Sequence, residues 1–203
     1  MHGTMAIDQS MTAVGNIAFG GTSLEIPSKY KGIAVLGSHP ATVMQAPFND
    51  DWLIYACSPH NFEQRQLPRF DEWFEVHKPI ADRTRAYPYL KFLETVPIVW
   101  MRDKAAMQFF KGAREYPEDE MRAIFGPFTF TSSIAFILAK AIVECEKQGI
   151  KQIGLWGIMQ ASPNEFTYQR PGIQNLIWEA NRRGIKVLAP DVSKLFEPPP
   201  EDF

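Results

Sequence analysis

Residues 131–149 read TSSIAFILAKAIVECEKQG, and the chain resumes at 152–158 with QIGLWGI. In the first run Ile134, Ile137, Leu138, Ala141, Ile142 and Cys145 recur at steps of three and four, the spacing of one helical face. A hydroxyl at Thr131 or Ser132 supplies the cap, and Gly149 supplies the stop. The second run is short and apolar and is followed by a polar loop, which fits a strand buried on both faces. A helix feeding such a strand is half of a parallel α/β unit.

The same pattern continues in both directions. Downstream, a helix is expected from about Pro171 to Arg183, with Gly184 as its stop, then a strand over Ile185–Ala189. Upstream, Ile33–Leu36 is an apolar run halted by Gly37-Ser-His-Pro40, and Trp52–Cys57 is another, halted by Ser58-Pro-His-Asn61. Pro97–Met101 reads as a further strand. Asp71–His77 is ambiguous between an edge strand and a short helix. These elements predict an α/β, Rossmann-like domain: a mostly parallel sheet of about five or six strands with helices on both faces. Residues 1–30 read as a flexible N-terminal extension, 31–195 as a single domain and 196–203 as a Pro-rich tail. The stretch at about 78–127, rich in aromatics and prolines, lacks a clear period and reads as an irregular, lid-like insert, with Arg83, Arg85, Arg102 and Arg114 within it.

Composition narrows the function classes. A net charge of −2 gives no electrostatic footprint for nucleic acid, although a local basic patch remains compatible with it. No apolar run is long enough to span a membrane, and the N-terminus lacks a basic region followed by an apolar core; a cytoplasmic setting is the expectation. Two cysteines, Cys57 and Cys145, make neither a disulfide framework nor a metal cluster, and both read as buried hydrophobes. His39, His60 and His77 share no metal-ligand spacing, so no metal site is expected.

In a parallel sheet, ligands bind beyond the carboxyl ends of the strands, at a switch in strand order. Four segments are expected to meet there. Gly37, Ser38 and Thr42 follow the first strand, where Gly37 allows a close turn and the hydroxyls suit a phosphate; G-x-G-x-x-G is absent. Ser58 and Asn61 follow the second strand, either as ligand contacts or as a plain turn. Thr131, Ser132 and Ser133 open the long helix, where free N–H groups favour an anion, although the same hydroxyls serve equally as caps. The loop after 158 adds Glu165, Tyr168 and Arg170, as ligand contacts or as solvated surface. His39 and His77 are the candidate general bases, because imidazole titrates near neutrality.

The runs at 131–142 and 149–158, the turn Gly37-Ser-His-Pro40 and the pair of segments Phe74–His77 and Glu165–Pro171 resemble several Rossmann-like families. These are the small bacterial sialyltransferases, relatives of hydroxymethylpterin pyrophosphokinase, and uncharacterised proteins carried by bacteriophages. The resemblance spans about residues 31–190. It implies a nucleotide or nucleotide-sugar binding protein, a glycosyltransferase-like enzyme whose donor substrate is a nucleotide sugar, with no resident cofactor. By position, Ser38, Asn61 and Ser132 would touch the nucleotide and Tyr168 the phosphate. The sialyltransferases' late histidine has no match, since all four histidines precede residue 78, and Met159 stands where their strand-end Asp would be. A non-catalytic nucleotide binder and a protein-interaction module are the alternatives. A phage-encoded origin would place the protein in the host cytoplasm.

Overall fold

Ile33, Val35, Leu53, Tyr55, Phe74, Ile153 and Leu155 point to one side of the sheet, and Ala34, Leu36, Ile54, Ala56 and Trp73 to the other. All of them are buried. Successive strand residues alternate between faces, so strands covered on both sides must be apolar at every position. That is why these runs read as unbroken hydrophobic segments. The computed structural model describes residues 28–78, 87–162 and 165–197; the expected N-terminal extension lies outside them up to residue 27, and the Pro-rich tail from residue 198.

The strands are β1 (Gly32–Leu36), β2 (Trp52–Cys57), β3 (Glu72–Glu75), β4 (Val99–Met101), β5 (Ala113–Glu115), β6 (Gln152–Trp156) and β7 (Lys186–Leu188). They form one sheet in the order β5-β4-β3-β2-β1-β6-β7. Every pairing is parallel. The α/β, Rossmann-like class stands, but among the described residues the sheet has seven strands rather than five or six. The order reverses between β1 and β6, and this is the switch point.

One face is covered by α4 (Ser133–Gln148) and α5 (Arg170–Arg182), together with Met121 and Phe125 of α3 (Glu118–Phe125). The other carries Tyr89 and Leu93 of α1 (Tyr87–Thr95) and Ala106 of α2 (Lys104–Met107). The irregular insert expected at 78–127 is therefore corrected: its described part holds α1, β4, α2, β5 and α3 and extends the sheet. The ambiguous Asp71–His77 stretch contains β3, which lies inside the sheet between β2 and β4.

Local signals set the ends of α4. The Ser132 Oγ accepts from the Ala135 N–H at 3.2 Å, while Gly149 adopts φ 68° and closes the helix on the Cys145 carbonyl. Cys57 and Cys145 are buried, and burial pushes the Cys145 thiol up to about 12.

At the switch point the turns after β1 and β6 touch backbone to backbone. A Cβ on Gly37 would lie 2.3 Å from the Gly157 carbonyl oxygen, and one on Gly157 would lie 2.6 Å from that of Gly37. Gly157 also holds φ 68°, a conformation that glycine takes without steric cost. Thr42 ties the same crossing, its Oγ1 accepting from the Gly157 N–H at 2.8 Å.

Candidate functional site

Beyond the carboxyl ends of β1, β2, β3 and β6 lies a cleft of about 670 Å³. Its walls come from Gly37–Pro40 after β1, Ser58 after β2, Val76–Lys78 after β3, Arg102 after β4 and Gly157–Gln160 after β6. Phe130–Ile134 at the start of α4, together with Glu165 and Gln169 from the π-helical turn Glu165–Gln169, complete it.

The start of α4 projects into this cleft. The first N–H groups of a helix have no acceptor within the helix, and the Ser132 side chain serves that of Ala135. An anion is favoured beside the remainder. Ser133, one residue on, directs its Oγ to within 3.4 Å of His77 Nε2.

His77 is fixed from behind. Its Nδ1 lies 2.5 Å from Glu75 Oε1, and its backbone N–H reaches the same oxygen at 3.2 Å. Residues two apart on an extended chain share a side, which is what lets Glu75, the last residue of β3, reach the ring of His77. The other carboxylate oxygen, Oε2, accepts from the Tyr89 hydroxyl at 2.8 Å, and that hydroxyl accepts from Trp73 Nε1 at 3.0 Å. Glu75 is 1% exposed. Burial pushes its carboxyl up, but the hydrogen bonds from His77 and Tyr89 outweigh burial and hold the group below the ordinary carboxylate value. When the ring is neutral and Nδ1–H donates to the carboxylate, Nε2 is left as an acceptor towards Ser133 and the cleft.

A cluster of charged residues forms the rim. Arg102 holds Glu118 through two bonds of 2.7 Å, with Arg122 at 2.8 Å and Lys78 at 3.4 Å from the same carboxylate. Hydrogen bonding from Arg102, reinforced by Arg122 and Lys78, draws the Glu118 carboxyl down to about 2. Lys104, Glu115, Asp119 and Glu120 lie in the same patch as Lys78, Arg102 and Glu118, so the cluster is close to charge-balanced, and Lys78 and Arg102 are its members on the cleft wall. Arg102 also donates to the Val76 carbonyl at 3.1 Å and stacks over Phe136 at 4.3 Å, so its head is fixed.

Two residues on the cleft wall hold left-handed backbone without being glycine: Ser58 at φ 83° and Gln160 at φ 53°. Gln160 is 3% exposed, and its side-chain oxygen is buried with no hydrogen-bond partner among the described residues. Backbone strain of this kind clusters at functional sites, although Gln66 shows it away from the cleft, and Tyr55, Asn61 and Arg65 also carry a buried polar atom without a partner among the described residues.

The residues singled out from sequence divide into two groups. Gly37, Ser38, His39, Ser58, His77, Thr131, Ser132, Ser133 and Glu165 line the cleft. Thr42, Asn61, Tyr168 and Arg170 do not. Asn61 is buried and bonds the carbonyls of Gly37 and Cys57 at 2.9 and 2.7 Å, clamping the ends of β1 and β2. Arg170 is buried against the Glu197 carbonyl, and Tyr168 is 68% exposed. His39 Nδ1 accepts from the Ala41 N–H at 3.3 Å. Glu165 Oε2 accepts from the Ser162 N–H and hydroxyl at 3.1 and 2.8 Å.

Sequence reasoning misses Glu75 and Gln160. For Glu75 a signal exists, in its two-residue spacing from His77 at the end of a strand. Among the described residues, no group of three or more His, Cys, Asp or Glu is placed to hold a metal ion, and no helix is long and apolar enough to cross a membrane.

No protein-family model matches the chain, and no curated protein matches it by sequence. Solved structures do match. The sialyltransferase CstII from Campylobacter jejuni, in complex with the substrate analogue CMP-3FNeuAc, superposes with a TM-score of 0.50 at 13% identity, over 80% of this chain and 88% of that one. A point variant of the CST-II sialyltransferase in complex with CMP gives a TM-score of 0.49 at 13% identity, over the same shares. The fold is thus sialyltransferase-like.

Proposed function

We propose that the protein binds a nucleotide-activated sugar in this cleft and transfers its glycosyl group to an acceptor hydroxyl. The observation that carries this reading is the His77 imidazole, backed by ionised Glu75 and opening beside the amino end of α4. A group-transfer site needs a base for the acceptor and a stabiliser for the departing phosphate, and these two features supply them.

In this reading the nucleotide phosphate sits against the first turn of α4, with the Ser132 and Thr131 segment around it and Lys78 and Arg102 on the adjoining wall. His77 Nε2 takes the proton of the acceptor hydroxyl as its oxygen bonds to the sugar, and the sugar–phosphate bond breaks. His39, across the cleft, is the second candidate base. Ser38 and Ser58 are the proposed contacts to ribose and base. The solved complex of CstII with CMP-3FNeuAc, a protein of the same fold, is consistent with a cytidine nucleotide as the ligand.

Thermal shift against cytidine, uridine, guanosine and adenosine monophosphates and their sugar conjugates tests the binding. A ligand present at a hundred times its dissociation constant adds about 2.7 kcal/mol. Stabilisation by one base series is expected, followed by hydrolysis or transfer of the matching nucleotide sugar. No stabilisation by any member of the panel would remove the reading.

A further inference from the structure

Ser133, His77 and Glu75 stand in the relation of nucleophile, base and orienting acid. The hydroxyl-to-imidazole distance is 3.4 Å, and the imidazole-to-carboxylate distance is 2.5 Å. The orienting acid is itself held by Tyr89. Ser133 is the first residue of α4, so an oxyanion formed on a group bound to its Oγ lies beside unpaired N–H groups of the first turn. Sets of this kind are recognised by geometry rather than by sequence order, and the nucleophile–base contact is commonly long before a substrate is bound.

We propose that Ser133 is a nucleophile activated by His77, and that the cleft carries out acyl transfer from esters through a covalent serine adduct. This goes beyond the glycosyl-transfer reading and does not require a nucleotide. The Ser133 Oγ attacks the ester carbonyl while its proton passes to His77 Nε2. The carbon–oxygen bond to the alcohol then breaks, and the alcohol leaves with the proton that His77 returns. Water, deprotonated by the same nitrogen, attacks the acyl-serine; the carbon–Oγ bond breaks, His77 returns the proton to Ser133 Oγ, and the acid is released. The first-turn N–H groups stabilise both tetrahedral oxyanions. Glu75 is a positioning residue that keeps Nδ1 protonated and Nε2 open to Ser133.

A fluorophosphonate probe tests the step directly. Attack by Ser133 Oγ forms an oxygen–phosphorus bond, fluoride leaves, and the proton goes to His77. The full-length folded protein is treated with the probe and digested, and the adduct is mapped by mass spectrometry. A single adduct on Ser133 is expected, lost in Ser133→Ala and slowed about a hundredfold or more in His77→Gln. His77 is half-exposed and Ser133 only partly buried, and the amide of the His77→Gln variant keeps a donor for Glu75, so both variants are expected to retain the fold, which circular dichroism checks; Glu75→Gln should give an intermediate rate. Absence of label on Ser133 in the folded wild-type protein would overturn the proposal. So would labelling at the same rate in His77→Gln. Neither result bears on nucleotide binding, which the thermal-shift panel reads separately.

Discussion

Strand β3 carries two glutamates, and they behave oppositely. Glu75, at its carboxyl end, faces the α1 side, where Tyr89 and His77 donate to it, and its carboxyl is held below the ordinary value. Glu72, at its amino end, faces the α4 side. Burial raises its pKa, with repulsion from Glu144 and Asp71 adding, against only the hydrogen bond from Trp100 and the Lys140 charge. Both lie in the same sheet, three residues apart. What separates them is the number of donors aimed at each, which sets the direction in which each carboxyl's pKa moves. One end of the strand is therefore equipped to hold a charge and orient a base. The other is a partly buried structural contact.

Substitutions at the two positions sharpen this contrast. Glu75→Gln is expected to have the largest effect, a loss of about 3 kcal/mol at neutral pH in denaturant unfolding, because a charged acceptor with two side-chain donors is removed from a buried position. The folded pKa of Glu75 is depressed, so its contribution is full above the unfolded value and lost as pH falls through the folded one. The gap between wild type and variant should accordingly close at acid pH; a gap independent of pH would break the contrast. Tyr89→Phe keeps the ring but removes the donor, and should cost about 1.5 kcal/mol, with less added when Glu75→Gln is already present.

Ser132→Ala should cost about 1 kcal/mol by loss of the α4 cap, read as a lower denaturation midpoint at unchanged slope. Glu118→Gln should cost about 1 kcal/mol near neutrality, the worth of a partly exposed ion-pair network. Because Glu118 is drawn from 4.5 down to about 2, that difference should be present above about pH 4.5 and should vanish as pH falls towards 2. Glu72→Gln should have the smallest effect, about 0.5 kcal/mol or less at pH 4. Its sign moves towards stabilisation as pH rises, since the raised folded pKa means that ionised Glu72 costs the folded state free energy.

The fold was legible where burial is two-sided. Ile33–Leu36, Trp52–Cys57 and Gln152–Trp156 sit in the middle of the sheet and, apart from Gln152 at the start of β6, have no polar position to confuse the pattern. β5 was not legible, because Ala113–Glu115 is a three-residue edge strand with Arg114 and Glu115 exposed. Its pairing with β4 is a tertiary fact that no local period records, and so the 78–127 stretch read as irregular. The cleft was legible as a location, since strand ends and the start of α4 are set by Gly37, Ser58 and Ser132. Its polar details were less so. Tyr168 and Arg170 have the right chemistry for an anion, yet one points to solvent and the other lies under the chain near Glu197. Gln160 gives no local sign, because its burial and its unmatched oxygen arise only once β6 is packed against its neighbours.

Ligand binding can be followed at a single imidazole. His77 lines the cleft, whereas His60 is exposed and lies outside its walls, with its backbone N–H on the hydroxyl of the cleft residue Ser58, so the two rings report on the site and on its outer edge. In protein labelled with 15N-histidine, titration with CMP should move the His77 ring resonances in a saturable manner and by much more than those of His60. Unchanged His77 resonances with CMP, UMP, GMP and AMP, or equal drift of both rings, would contradict a nucleotide site at the β1–β6 switch point.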